Sequence, residues 1–396
     1  MNPYAFYVFL PEILFFLPLI CTLPPDSLDV HIGHRFAKLT SLEKISPEYK
    51  HLLAQLSLLG YHITTLDPEK LPHYAGAILS SSCFTRYQRV FNWSHPPNIP
   101  LIYLPHATDF PADTGTMAAR MYIYANQRQA EACELNKVTK QGDPNKFAKW
   151  QTLPKTYLNE YAYTGPWHLG EWLTKRFWPK TRFRELLEET LKATLPATKP
   201  IVFFLEDEFC HPHLVGQALA KLAKHVTLII KARKNLKVRD AFNWPSQSLA
   251  PNLPRLASDL TLAGFQSGSL ATNTMLGLPV IPYYTKFVWR KKQGKRSLQP
   301  YATFSANRTG ICAEICQENP PLDLTDTEAI LDRLNDSAWQ STYLQRLPQI
   351  QRMIFGDYEL DHCVEHTGQL LLTALEQGTL GSKTIALRIR PEYAAI

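Results

Sequence analysis

No pair of cysteines in this 396-residue sequence has the Cys-x-x-Cys spacing of the zinc or dithiol redox type. The seven that occur (Cys21, Cys83, Cys133, Cys210, Cys312, Cys316, Cys363) are scattered and odd in number, which argues against a disulfide framework and for a reducing, cytoplasmic setting. Basic residues are missing ahead of Arg35, so the apolar stretch 4–23 has no positive flank of the kind a signal peptide carries. That stretch has about the length of a membrane span, but Pro11, Glu12 and Pro18 interrupt it. The expectation is a buried strand over 4–10 and an apolar helix over 12–23, with a membrane-inserted segment as the alternative. No repeat of fixed solenoid period is present. Nor does one charge dominate: 42 Lys and Arg against 35 Asp and Glu leave +7. This mild excess favours phosphate-bearing ligands or an anionic membrane surface and gives no support to nucleic acid as a partner. The triplet Asn92-Trp93-Ser94 matches a glycosylation sequon, which has meaning only in a secreted chain.

Core-forming material is plentiful. Apolar residues make up 45% of the chain and charged ones 19%, and the length exceeds the roughly 100–200 residues that one core usually serves. Two α/β domains are expected. Strands are predicted at 4–10, 62–66, 75–80, 101–104, 121–124 and 161–164, with helices over 47–59 and 127–136 and a polar loop over 137–155. A second series follows: helix 183–195 closed by Pro196, strand 200–205, helix 215–224, strands 226–231 and 259–263, helix 269–276 and strand 280–284. A last helix covers 358–376. Alternation of this kind produces parallel sheets clothed on both faces by helices.

Within the run 259–284, DLTLAGFQSGSLATNTMLGLPVIPYY, an apolar strand enters Ser267-Gly268-Ser269, a helix follows, and Gly277 takes a C-cap position before Pro279. Small residues there let backbone N–H groups and the helix N-terminus approach an anion, with Ser267 and Ser269 adding hydroxyls. The same pattern also serves an ordinary capped helix. This segment resembles the donor-binding part of GT-B transferases, above all the CDP-glycerol glycerophosphotransferase family and related envelope polysaccharide glycosyltransferases. Three more runs agree in order. IYLPHATD, holding His106, is similar to the His-Gly motif of the acceptor-side domain, with Ala107 in place of glycine. YAYTGPWHLGEWL is similar to a Thr-Gly-x-Pro turn, and FGDYELDHCVEHTGQLL to the terminal Asp-Gly helix start, with Tyr358 replacing glycine.

The resemblance implies two Rossmann-like doubly wound domains facing a cleft: 1–178 on the acceptor side, 179–355 binding the donor, and 356–396 a terminal helix packing back on the first domain plus a tail. It implies a nucleotide-diphosphate donor as substrate, no cofactor, no metal, and a hydroxyl acceptor that is lipid-linked or part of a polysaccharide. His106 is the candidate general base, since transfer to a hydroxyl needs a group of near-neutral pKa to take its proton, and Asp109 orients it or replaces it. One departure bears on the reaction. The glycerophosphotransferases carry Lys-x-His-Pro after the second donor-domain strand, where this chain has Lys231-Ala232-Arg233. A sugar donor is therefore expected at least as readily as glycerol phosphate, with Lys231 and Arg233 as charge partners of a diphosphate. A UDP-sugar 2-epimerase and a non-catalytic envelope-assembly protein are the rival expectations.

Two further clusters stand out. Residues 206–213, EDEFCHPH, hold carboxylates, a thiol and two imidazoles on one short loop, without the distant partner a metal site needs. Its expected role is to line the cleft, with His211 or His213 touching the donor. Arg290, Lys291 and Lys292, with Lys286, Lys295 and Arg296, form the one charge run, interleaved with Phe287 and Trp289. It reads as a solvated loop, or as a patch for acceptor phosphate or an anionic leaflet. Cys312 and Cys316 share a helical face and are expected to pack.

Overall fold

The computed structural model describes residues 3–33, 39, 41–45, 47–80, 99–105, 121–127, 130, 160–169, 177–207, 210–231, 242–243, 253–265, 267–292, 295–301, 311–356 and 362–381. The chain divides into two compact units, Met1–Glu171 with Asp357–Ile396, and Trp172–Gly356.

The first unit contains β1 (Tyr4–Phe9), α1 (Ile13–Ile20), β2 (Leu28–Gly33), α2 (Pro47–Leu58), β3 (His62–Thr65), β4 (Ala77–Ser80), β5 (Leu101–Leu104), β6 (Met121–Tyr124) and β7 (Glu160–Tyr163). All strands are parallel, in the order β3-β2-β1-β4-β5-β6-β7. A parallel strand covered on both faces reads as an unbroken apolar run, and β1, YAFYVF, is buried from Ala5 onward. The apolar segment after it folds into this core. In α1 the Phe16 ring lies 5.5 Å from Phe6 and 5.3 Å from Trp167. Buried Glu12 accepts from the Ser80 hydroxyl. Among the described residues no helix is long and apolar enough to cross a membrane. The helix Cys363–Gln377 belongs to this unit. Its Gly368 sits so close to Thr22 of the α1 end that a Cβ would fall 2.1 Å from the hydroxyl, and Thr367 donates to Thr164 beside the TGP turn.

Strand β2 has no counterpart among the sequence expectations. Asp29 and His31 make LDVHIG look unlike a buried strand, yet both side chains find partners from elsewhere in the unit.

The second unit contains α3 (Lys180–Leu191), β8 (Ile201–Leu205), α4 (Pro212–Leu222), β9 (Thr227–Lys231), β10 (Phe242–Asn243), β11 (Leu260–Gly264), α5 (Gly268–Met275), β12 (Val280–Tyr284), β13 (Phe287–Lys292), β14 (Lys295–Pro300), α6 (Ile311–Glu318), β15 (Leu322–Asp323), α7 (Thr327–Asn335) and α8 (Ser337–Phe355). Six parallel strands run in the order β10-β9-β8-β11-β12-β15. α4 and α7 contribute to the core on one face, while α5 packs with α6 and α8. Gly277 closes α5 at φ +75°, a conformation open to glycine at little cost. The basic run 286–296 corrects the loop reading: β13 and β14 pair antiparallel as a ribbon separate from the large sheet. β-branched and aromatic residues at its base, Phe287, Val288 and Trp289, suit a pleated strand better than their charged neighbours do.

Candidate functional site

In the second sheet the chain runs outward from β8 to β9 and β10 on one side and from β11 to β12 and β15 on the other. The order therefore reverses between β8 and β11. Ligands of open α/β sheets bind outside the carboxyl ends of the strands at such a point, because the loops there diverge to opposite faces and leave a crevice. The residues ending β9, β8 and β11 are Lys231, Leu205 and Gly264.

The β11 end carries the Ser-Gly-Ser turn. Ser267 is the N-cap of α5, its Oγ accepting from the Ser269 amide at 3.2 Å. Ser267, Gly268 and Ser269 are all half-buried, so the helix start is reachable from solvent. Two thiols hold the turn from behind: Cys312 Sγ donates to the Ser267 carbonyl at 3.3 Å and Cys316 Sγ to that of Phe265 at 3.7 Å. The packing expected of this cysteine pair is thus directed at the turn itself.

Beside it, the β8 end leads through Glu206 and Asp207 to His211, the N-cap of α4. Asp207 lies directly over Gly264, where a Cβ would come within 2.0 Å of its carboxylate. The Tyr283 hydroxyl accepts from the Asp207 amide at 3.0 Å and donates to the Leu205 carbonyl at 2.9 Å. The His211 amide donates to Thr285 Oγ1 at 2.9 Å, and the rings of His211 and His213 lie 5.8 Å apart. Burial pushes the Cys210 thiol well above its ordinary pKa, with Asp207 adding to the shift, so this cysteine stays neutral and is a poor nucleophile. Lys231 completes the edge, its carbonyl accepting from the Glu206 amide at 3.2 Å.

The Tyr283 hydroxyl satisfies a backbone donor and acceptor that are otherwise buried. Tyr283→Phe is expected to lower the unfolding free energy of the second unit by about 1–3 kcal/mol, read by urea denaturation. An unchanged midpoint would show that water replaces the hydroxyl.

The structure thus brings Lys231, His211, His213, Ser267, Gly268 and Ser269 to one edge of one sheet. His106, Asp109 and Arg233 lie outside the described residues. Arg290, Lys291 and Lys292 belong to β13. Asp207 belongs to the 206–213 cluster expected to line the cleft, whereas Gly264 and Tyr283 were missed from sequence; the glycine ending an apolar strand just before the serine turn was the one available signal.

No family model and no curated protein matches the chain in sequence. Solved structures do match in shape. The wall teichoic acid polymerase TagF superposes with a TM-score of 0.57 at 10% identity, covering 95% of this chain and 89% of that one. UDP-GlcNAc 2-epimerase from Neisseria meningitidis, bound to UDP-GlcNAc, superposes at 0.51 with 11% identity over 93% and 100% of the two chains. The chain has a GT-B fold. The carboxyl edge just described lies in the second Rossmann-like unit of this GT-B chain.

Proposed function

We propose that the chain is a nucleotide-activated transferase that moves a sugar, or less readily glycerol phosphate, onto a hydroxyl of a lipid-linked or polysaccharide acceptor in cell-envelope polymer synthesis at the cytoplasmic side. One observation carries this reading: the reversal between β8 and β11 gathers the α5 N-terminus, Ser267, Ser269 and Lys231 at one sheet edge. Amides at a helix start, hydroxyls and an ammonium group are the donors that a diphosphate accepts from. As the donor's bond breaks, charge grows on the departing phosphate, and preorganised donors stabilise it by several kcal/mol in a water-poor site. Arg233 adds a second cation. Half-buried Glu206 accepts from hydroxyls of ribose or sugar, a role a carboxylate fills better than phosphate contact. His211 and His213 flank the donor. His106, oriented by Asp109, takes the acceptor's proton.

The test is donor binding by calorimetry and thermal shift with UDP, CDP and GDP, their sugar conjugates and CDP-glycerol. At least one is expected to bind, raising the stability of the second unit by about 2.7 kcal/mol at a hundredfold excess over its dissociation constant. Ser269→Ala leaves the Ser267 cap in place and is expected to weaken binding about tenfold by removing one hydroxyl donor to a charged group. Failure of every nucleotide to bind would sink the reading. A UDP-sugar 2-epimerase, the activity of one structural neighbour, is separated by incubating UDP-sugar without acceptor: an epimerised product would replace the transferase assignment.

A further inference from the structure

A cavity of about 90 Å³ opens beside the β15 edge of the second sheet, between the end of α6, α7 and α8. It is separate from the donor edge. Ile281, buried in its wall, stands three residues before Tyr284, the carboxyl end of β12, which puts it about 10 Å back along the strand. Buried Asn319 is pinned there, its Nδ2 donating to the Val280 carbonyl at 2.6 Å. Volume alone narrows the ligand. Sites for drug-sized molecules measure about 300–1,000 Å³, so a nucleotide or an oligosaccharide does not fit. A closed apolar cavity of about 150 Å³ holds one benzene; this smaller, open one takes most of a single ring and leaves a substituent at the rim.

The walls say what that ring and its substituent are. Ile281 and Ile350 supply buried apolar surface, and Trp339 and Tyr343, one turn apart on α8, stack at 5.4 Å with their planes 20° apart. Aromatic walls favour a planar ring through offset and edge contacts that add to the area they cover. The charged groups in the lining are Arg333, Arg346 and Glu318. Glu318 pairs with Arg346, and the Arg333 guanidinium lies over the Trp339 ring at 5.3 Å. One positive charge in the lining is thus left without a matching negative one. Both arginines are exposed, so they meet a ligand at the rim, where the planar guanidinium fork suits a carboxylate. One unmatched charge fits a monoanion better than a phosphate dianion. We propose that this cavity is a second ligand site that binds a small aromatic carboxylate, its ring against Ile281, Trp339 and Tyr343 and its carboxylate on Arg333. The inference stands apart from the donor assignment, and its test uses no nucleotide.

The experiment is titration of the full chain with benzoate, followed by calorimetry and by the indole N–H signals of the tryptophans in NMR; the Trp339 signal is the one that Trp339→Phe removes. Benzoate is expected to saturate with a dissociation constant on the order of 1 mM, the range open to so few atoms, and to move the Trp339 signal. Benzyl alcohol keeps the ring and lacks the charge, while acetate and inorganic phosphate lack the ring. Each is expected to bind at least about tenfold more weakly. Arg333→Gln, at an exposed position, is expected to cost benzoate about tenfold and leave benzyl alcohol unchanged. Heat unfolding confirms that this variant is folded. Absence of saturation, saturation that leaves the Trp339 signal in place, or unchanged benzoate binding by Arg333→Gln overturns the proposal. So does benzyl alcohol binding as tightly as benzoate, which would make the cavity a neutral ring site, and so does acetate or phosphate binding as tightly, which would make it a plain anion site.

Discussion

Gly264→Ala is expected to lower the unfolding free energy of the second unit by about 3 kcal/mol, at or above the upper end of the usual cost of one added methyl in a packed core. The new Cβ would stand 2.0 Å from Asp207 Oδ2, 2.3 Å from its Cβ and 2.5 Å from its Cγ. Rotating the carboxylate away cannot relieve a clash with Cβ, so the backbone of the β8 end has to move. That backbone is held: Ala263 pairs with Leu205 in the sheet, and the Tyr283 hydroxyl bonds on both sides of the turn. Displacing it also shifts the β11 end by which the Ser267 turn is hung, so nucleotide binding should fall with stability. The measurement is a double-mutant cycle in urea. Asp207→Gly placed on Gly264→Ala removes the obstructing side chain and is expected to restore most of the loss, giving a coupling above about 1 kcal/mol. Additive single effects would show that the tight approach is not the cause.

Acid is expected to weaken the first unit through His31. The side chain is fully buried, its ring stacks 4.4 Å from Tyr7, and its Nε2 meets the Tyr74 hydroxyl at 2.6 Å. Tyr74 in turn donates to Asp29 Oδ2 at 2.8 Å, so the tyrosine oxygen is left to accept from Nε2–H. His62 Nδ1 bonds the other Asp29 oxygen at 3.0 Å. Burial lowers the His31 pKa from 6.5 to about 4, helped by Lys70 and opposed by Asp29, the Thr65 backbone and Asp67. A depressed histidine is neutral in the fold and takes up a proton on unfolding. The unfolded chain therefore binds more protons between pH 6.5 and 4, and stability falls as pH falls through that window. At 1.36 kcal/mol per pKa unit the loss amounts to about 3 kcal/mol by pH 4, with full stability above pH 6.5. In His31→Phe, which keeps a ring against Tyr7, the unfolding of the first unit should lose about one proton of pH dependence over this window. A slope equal to that of the parent chain would assign the acid sensitivity to other groups.

Several elements were legible because their chemistry is local. β1 and β8 are apolar runs long enough to declare strands buried on both faces, and Ser267, Gly268 and Gly277 mark the two ends of α5 by capping preferences that operate within a few residues. β2 and the basic ribbon were not legible. In LDVHIG the polar side chains at Asp29 and His31 argue against burial until Tyr74 and His62 supply hydrogen bonds, and in the ribbon a dense charge hid a strand whose partner is known only from its pairing.

The order of residues alone determined the α/β alternation, the capped helix after β11 and the small-residue turn with its hydroxyls, since each depends on neighbours along the chain. Only the tertiary structure decided that β8 and β11 lie side by side, and with that the reversal of strand order, the placement of Lys231 and the serine turn at one sheet edge, and the close packing of Asp207 on Gly264. Strand order is set by contacts between residues far apart in sequence, and burial strength and hydrogen-bond supply at those contacts emerge only once the sheet has assembled.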